Sequence, residues 1–139
     1  MSYLIDTNVI SEFVRSQPKK QVVTWVEKIP SQALFVSVLT LGEIRKGVEK
    51  IPDPSRREKI RLWLEQDLPD WFEDRILPVD PAVADRWGRL LAEVGRSVSA
   101  IDSLLAATAL HNELRIVTRN VNDFKFPGLE VVNPWELSS

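Results

Sequence analysis

Apolar residues recur along this chain in two rhythms, short unbroken runs and stripes at helical spacing, and the two alternate from one end to the other. Tyr3-Leu4-Ile5 is a short apolar run ending at Asp6-Thr7-Asn8, which are helix-capping residue types, and Val9, Ile10, Phe13 and Val14 then return with a helical period. After Pro18, a second helical stripe of Val22, Val23, Val26 and Ile29 stops near Pro30, and residues 33–36 predict a second strand. The next helix starts at Ser37 or Thr40 and carries Leu41, Ile44, Val48 and Ile51 as far as Pro52 and Pro54, with Glu43 and Arg45 beside that stripe. Residues 55–72 read as one strongly charged helix, in which Ile60, Leu62, Trp63, Leu64 and Leu68 supply the apolar contacts.

Residues 75–79 predict a third strand, and residues 81–94 a helix with Val83, Trp87, Leu90, Leu91 and Val94 inside and Gly95 as its stop. Ser99 opens a helix over 100–110 whose small, nearly all-apolar surface implies burial on several sides, so it is expected to be the central helix. Residues 115–118 give a fourth strand, 119–123 a polar turn and 130–132 a short last strand before Asn133-Pro134-Trp135. Strands alternating with helices specify an α/β fold: one domain over 1–139, with a mainly parallel central sheet of about five strands covered by helices on both faces. No linker, internal repeat or low-complexity segment divides it.

Composition narrows the chemistry. A chain of 139 residues, 44% hydrophobic and 27% charged, is expected to bury one core, and no apolar run approaches the roughly 20 residues needed to span a bilayer. The first residues lack both a basic segment and a small-residue cleavage site, so a soluble, cytoplasmic protein is expected, with no membrane partner. Without cysteine, and with His111 as the one histidine, neither thiolate nor multi-histidine zinc sites are available, so any metal must be held mainly by oxygen. Lys and Arg total 18 against 20 acids, a net of 18 − 20 = −2, so bulk charge does not attract polyanions.

Four acids stand out, and each has a local structural explanation. Asp6 follows the first strand, where it can cap the next helix. Glu43 lies three residues after Thr40, Asp102 three after Ser99 and Asp123 three after Asn120, the spacing at which an acid reaches back to a cap amide. Their joint placement says more, because open parallel sheets bind ligands at the carboxyl ends of their strands: Asp6 and Asp123 fall just after strands, Glu43 in the first turns after the second strand and Asp102 in the opening turn of the buried helix, so all four can face one rim. Converging carboxylates repel and raise one another's pKa values unless a cation joins them. Hard oxygen ligands select Mg²⁺ or Mn²⁺, which suits phosphodiester hydrolysis because a cation can activate water and stabilise the leaving oxygen without a protein nucleophile. Thr7, Asn8, Thr118 and Asn120 add hydroxyl and amide groups near the same rim, either as supports for such a site or simply as turn and cap formers.

Leu4-Ile5-Asp6-Thr7-Asn8, Thr40-Leu41-Gly42-Glu43, Asp102 with Leu105-Ala106-Ala107-Thr108-Ala109, and Thr118-Arg119-Asn120 together resemble the PIN-domain family, over nearly the whole chain. Within that family the chain is similar to the VapC toxins of bacterial toxin–antitoxin pairs, and its ending Val131-Val132-Asn133-Pro134-Trp135 resembles the FitB-like branch. The resemblance implies a Mg²⁺- or Mn²⁺-dependent endoribonuclease acting on structured RNA, often tRNA. It also implies a homodimer, held inactive by a small VapB-type antitoxin, with operator DNA bound through the toxin–antitoxin complex. Asp6, Glu43 and Asp102 match the family's three central acids. The fourth position has two candidates: Asn120, where FitB-like members can carry Asp, and Asp123, which matches members whose acid comes slightly later.

Among the basic residues, Arg45 and Arg119 are the better candidates for RNA phosphates, since they neighbour Glu43 and Thr118; the remaining cations read as solvated helix faces. Trp71 and Trp135 are candidates to stack on unpaired bases, whereas Trp25, Trp63 and Trp87 share stripes with aliphatic residues and read as core or dimer contacts. His111 reads as a favourable charge near a helix end. Two rival functions are weighed. A haloacid-dehalogenase-type phosphatase also starts with a strand ending in Asp, but it wants a second acid where this chain has Asn8. The other rival is a degenerate domain that only binds a partner or nucleic acid, for which Asn120 is the argument.

Overall fold

A computed structural model describes residues 1–137. Its five strands, β1 (Tyr3–Ile5), β2 (Leu34–Ser37), β3 (Ile76–Leu77), β4 (Arg115–Val117) and β5 (Val131–Val132), form a single sheet in the order β3-β2-β1-β4-β5. Every pairing is parallel, with Tyr3 opposite both Leu34 and Arg115. Parallel strands need crossovers, and the helices supply them: α1 (Thr7–Ile10, continued by a 3₁₀ turn over Ser11–Val14), α2 (Lys20–Glu27), α3 (Val38–Glu49), α4 (Pro54–Leu62), α5 (Leu68–Phe72), α6 (Pro81–Val94) and α7 (Ala100–His111).

Side chains of β1 alternate across the sheet and so divide the core in two. Tyr3 and Ile5 pack with Val9, Ile10, Val22, Val26, Ile44, Val48, Leu64, Leu68 and Phe72 on one face, while Leu4 packs with Val83, Leu90, Leu105, Ala106, Ala107, Ala109 and Ile116 on the other. Both faces are covered, which is why β1 is apolar at every position instead of alternating. The run of alanines in α7 lets it lie close under the sheet, with Leu105 through Ala109 all buried.

Three expectations are sharpened. Of the two starts expected for α3, Ser37 is the cap: its hydroxyl accepts from the Leu39 amide at 3.0 Å, and Thr40 lies inside the helix, fully buried. The charged helix expected over 55–72 is interrupted by a π-turn at Trp63–Asp67, across which the Leu68 amide donates to the Trp63 carbonyl. Pro69 sits just beyond, where it has no N–H to give to an α-helical bond. The expected third strand is shorter than drawn, limited to Ile76–Leu77.

The strand order fixes where a site can form. From the central β1 the chain moves outward to β2 and β3, then returns past β1 to β4 and β5, so neighbouring crossovers leave in opposite directions at the carboxyl ends of β1 and β4. A crevice opens at such a switch point. The Asp6 amide still donates to the Val117 carbonyl at 2.9 Å, so the β1–β4 ladder carries Asp6 and Thr118 to the mouth of that crevice together.

Candidate active site

Asp6 is both cap and candidate ligand. One carboxylate oxygen accepts from the Thr7 amide at 2.8 Å, and the Asp6 carbonyl receives the first helical bonds of α1 from Val9 and Ile10. The other oxygen accepts from the Thr118 hydroxyl at 2.8 Å and more weakly from the Asn8 side-chain amide at 3.4 Å. Thr118 in turn accepts from Asn8 Nδ2 at 3.2 Å and from the Asn120 amide at 3.1 Å, while Asn8 Oδ1 accepts from the Arg119 amide at 3.2 Å. Thr118, Asn8 and the 118–120 backbone thus make a closed lattice whose one carboxylate is Asp6.

The remaining acids reach the same rim from three other elements. Glu43, in the second turn of α3, accepts from the Thr7 hydroxyl at 2.6 Å, which ties it to the segment that begins at Asp6. Asp102 lies in the first turn of α7, where its amide donates to Ser99 Oγ at 3.3 Å. Asp123 lies in the 3₁₀ turn Val121–Phe124 after β4, its amide bonded to the Asn120 carbonyl. The local explanations for these acids therefore divide: Asp6 does cap a helix, Ser99 caps α7 through the Asp102 amide, Thr40 caps nothing, and the Asn120 side chain makes no cap hydrogen bond.

Burial raises the Asp6 carboxyl to about 6, against the hydrogen bonds from Thr118 and Thr7 that lower it, and the charges of Glu43 and Asp102 add to the rise. Asp102 is raised in the same direction, first by burial and then by the charges of Asp123 and Glu43. Asp6 and Asp102 therefore each feel other acids, yet among the described residues none of the four has a Lys or Arg as an ion-pair partner. The donor set, oxygen alone and uncompensated, fits a hard divalent cation. Among the described residues no three acids are already drawn around one point.

Arg45 is spent elsewhere: it pairs with Glu65 at 2.9 Å, and Arg61 joins the same carboxylate. Arg119 instead lays its guanidinium over the Trp135 ring, 5.3 Å from the centroid. Trp25 and Trp63 pack against the first core cluster and Trp87 against the second, where Trp87 Nε1 donates to Ser103 Oγ. Trp71 lies between Phe13 and Phe72, so it belongs to the core rather than to an exposed stacking platform. His111 ends α7, as expected.

Glu12 was not singled out by the sequence, yet it is 2% exposed, accepts from the Lys19 amide at 2.7 Å and from Arg15 at 2.9 Å, and its carboxyl is held low by those partners against the cost of burial. Its position three residues after Val9, on the inward side of that turn, was the available signal.

Comparisons with known proteins agree with this fold. The family model for the PIN domain matches residues 3–126. The plasmid stability protein StbB of Pseudomonas syringae pv. tomato is 36% identical over 136 residues, covering 96% of this chain and 98% of that protein. Toxin FitB of Neisseria gonorrhoeae is 34% identical, covering 95% and 97%, and the VapC ribonuclease Y4jK of Sinorhizobium fredii is 31% identical, covering 96% and 97%. Among solved structures, that of FitAcB from Neisseria gonorrhoeae superposes with a TM-score of 0.89 at 34% identity over 97% of this chain and 99% of that one. A structure of FitAB bound to an IR36 DNA fragment gives 0.88 at 32% identity, over 99% and 98%.

Proposed function

The chain belongs to the PIN-domain family, and on that premise we propose that it is a Mg²⁺- or Mn²⁺-dependent endoribonuclease, the toxin of a VapBC-type toxin–antitoxin pair. The observation that carries the reading is the convergence of Asp6, Glu43, Asp102 and Asp123 on one rim without a basic partner among the described residues, in a chain about a third identical to toxin FitB and to a VapC ribonuclease over nearly its full length. In this reading the protein works in the cytoplasm as a homodimer. A cognate antitoxin covers the rim, and operator DNA is met through the toxin–antitoxin complex, as the FitAB structure with a DNA fragment supports.

The residues divide the work by position. Asp6, Asp102 and Glu43 would hold the cation, with Asp123 as fourth acid and Asn120 beside it. When bound, the cation supplies charge stabilisation for the scissile phosphate and a source of activated water. Thr118 and Asn8 fix the rotamer of Asp6, and Thr7 fixes that of Glu43, so two of the acids are oriented before a cation arrives. The phosphatase rival fails on Asn8, whose amide is committed to Asp6 and Thr118 and offers no acid to a leaving group.

Purified, antitoxin-free protein incubated with total RNA and Mg²⁺ or Mn²⁺ should cleave it, and EDTA should stop the cleavage. Asp6→Ala and Asp102→Ala should each lower the rate by at least about two orders of magnitude. Equal cutting by those variants, or none by the parent, would remove the ribonuclease reading and leave the degenerate binding domain.

A further inference from the structure

We propose that Trp135 is a positioning residue for substrate: its ring, clamped into the fold by the C-terminal segment, holds the Arg119 guanidinium at the acidic rim as a ready contact for an RNA backbone phosphate. The inference rests on the ribonuclease reading and adds to it a residue whose contribution passes through another side chain.

Arg15, Arg45, Arg61, Arg89 and Arg115 pair with carboxylates, Arg56, Arg57, Arg75 and Arg96 donate to backbone carbonyls, and Arg86, half-buried on α6, has its Nε covered without a partner. Arg119, by contrast, is exposed and follows Thr118 directly in the chain, and among the described residues its guanidinium has neither kind of partner. Its position is nonetheless fixed at both ends. The backbone amide is bonded to Asn8 Oδ1, in the lattice that holds Asp6, and the guanidinium lies on the Trp135 face. A guanidinium held over a ring makes no hydrogen bond to it in doing so, and its N–H groups stay available to a phosphate.

Trp135 is itself held. Its amide donates to Asn133 Oδ1 at 2.9 Å, Pro134 is buried, the ring packs against the first core cluster, and Gln21 of α2 donates to the Pro134 and Trp135 carbonyls at 3.1 and 3.2 Å. The negative charge of Glu12, buried under the same corner, feels Arg119 and favours its staying there. An arginine left free on a surface would lose rotamer entropy on meeting a phosphate, and the platform removes part of that cost in advance.

The test is RNA binding, read without cleavage. A fluorescently labelled mixed-sequence RNA hairpin is titrated in EDTA with the Asp6→Asn protein across a series of KCl concentrations, and Arg119→Ala, Trp135→Ala, Trp135→Phe and the double alanine variant are measured in that background, each checked for folding by circular dichroism. Arg119→Ala and Trp135→Ala should each weaken binding several-fold and flatten the salt dependence by about one phosphate contact, a slope change of roughly 0.7 to 0.9. Trp135→Phe should keep most of the affinity, and Trp135→Ala should add nothing once Arg119 is gone. A Trp135→Ala loss that persists in the Arg119→Ala background, or that leaves the salt slope unchanged, overturns the proposal. If the parent cleaves RNA with metal while the Arg119 and Trp135 variants bind like the Asp6→Asn protein, the ribonuclease reading stands and this inference falls. If the Asp6→Asn protein does not bind RNA, the inference falls, and a parent that also fails to cleave takes the ribonuclease reading with it.

Discussion

Burial beside Glu43 and Asp102 favours the protonated form of Asp6, and because its folded value of about 6 lies above the ordinary 3.8, the sign of its effect on stability follows. The contribution is fully present below the ordinary value and is lost as pH rises through about 6, so at neutral pH the ionised carboxylate strains the metal-free fold by up to roughly 3 kcal/mol. Asp6→Asn keeps the cap acceptor and removes the charge. In EDTA its melting temperature should match the parent's at about pH 4 and exceed it at about pH 7, a gap that grows with pH; a gap that stays flat would show that the charge is not held at a cost. The same residue marks how far reading by residue type could go. The position of Asp6 at the end of a strand was legible from the apolar run before it, whereas the Thr7–Glu43 bond joins residues 36 apart in sequence and leaves no local trace. Thr118 is the most exacting of the supports, since it donates to Asp6 and accepts from Asn8 and Asn120. Thr118→Val should weaken divalent-cation binding about 10- to 100-fold with little change in the fold.

Elements were legible where one rhythm dominated. Every strand was found, and α6 and α7 begin where expected, because Pro81 and the cap Ser99 punctuate them clearly, although Asp80, the cap of α6, was not singled out. The start of α3 was not decided, since Ser37 and Thr40 are equally good capping types; packing decides it by burying Thr40 completely. Two substitutions separate the roles. Ser37→Ala should lower stability by about 1 kcal/mol through the lost cap, while Thr40→Val, which replaces a buried hydroxyl with no hydrogen-bond partner, should be neutral or mildly stabilising in chemical denaturation. The reverse pattern would return the cap to Thr40. The π-turn was hidden for a different reason. Ile60, Leu64, Leu68 and Phe72 are all buried at intervals of four, and an α-helix rotates such a series about 40° further each time. A wider turn at Trp63–Asp67 takes up that drift and keeps the stripe on the core, which no capping or helix-stop signal announces.

At the scale of the whole molecule, alternation of strands and helices specified a parallel sheet covered on both faces, but the order β3-β2-β1-β4-β5 depends on which strands pair across distances the sequence does not record. That order is what brings the ends of β1 and β4 together at the switch point and gathers acids from four separate segments along one rim. Acids at the rim without a basic partner among the described residues fit the proposed divalent cation, and Arg119 on the Trp135 ring fits the phosphate of the proposed substrate. The most direct measurement is calorimetric titration of Mn²⁺ into the antitoxin-free protein at neutral pH, repeated for Asp6→Asn, Asp102→Asn, Asp123→Asn and Asn120→Asp. Saturable binding by the parent, lost in the first two variants and weakened in the third, is the expected result, with Asn120→Asp unchanged if Asp123 is the fourth ligand. Absence of Mn²⁺ binding by the parent, or binding unaltered by Asp6→Asn and Asp102→Asn, would contradict the metal centre at this rim.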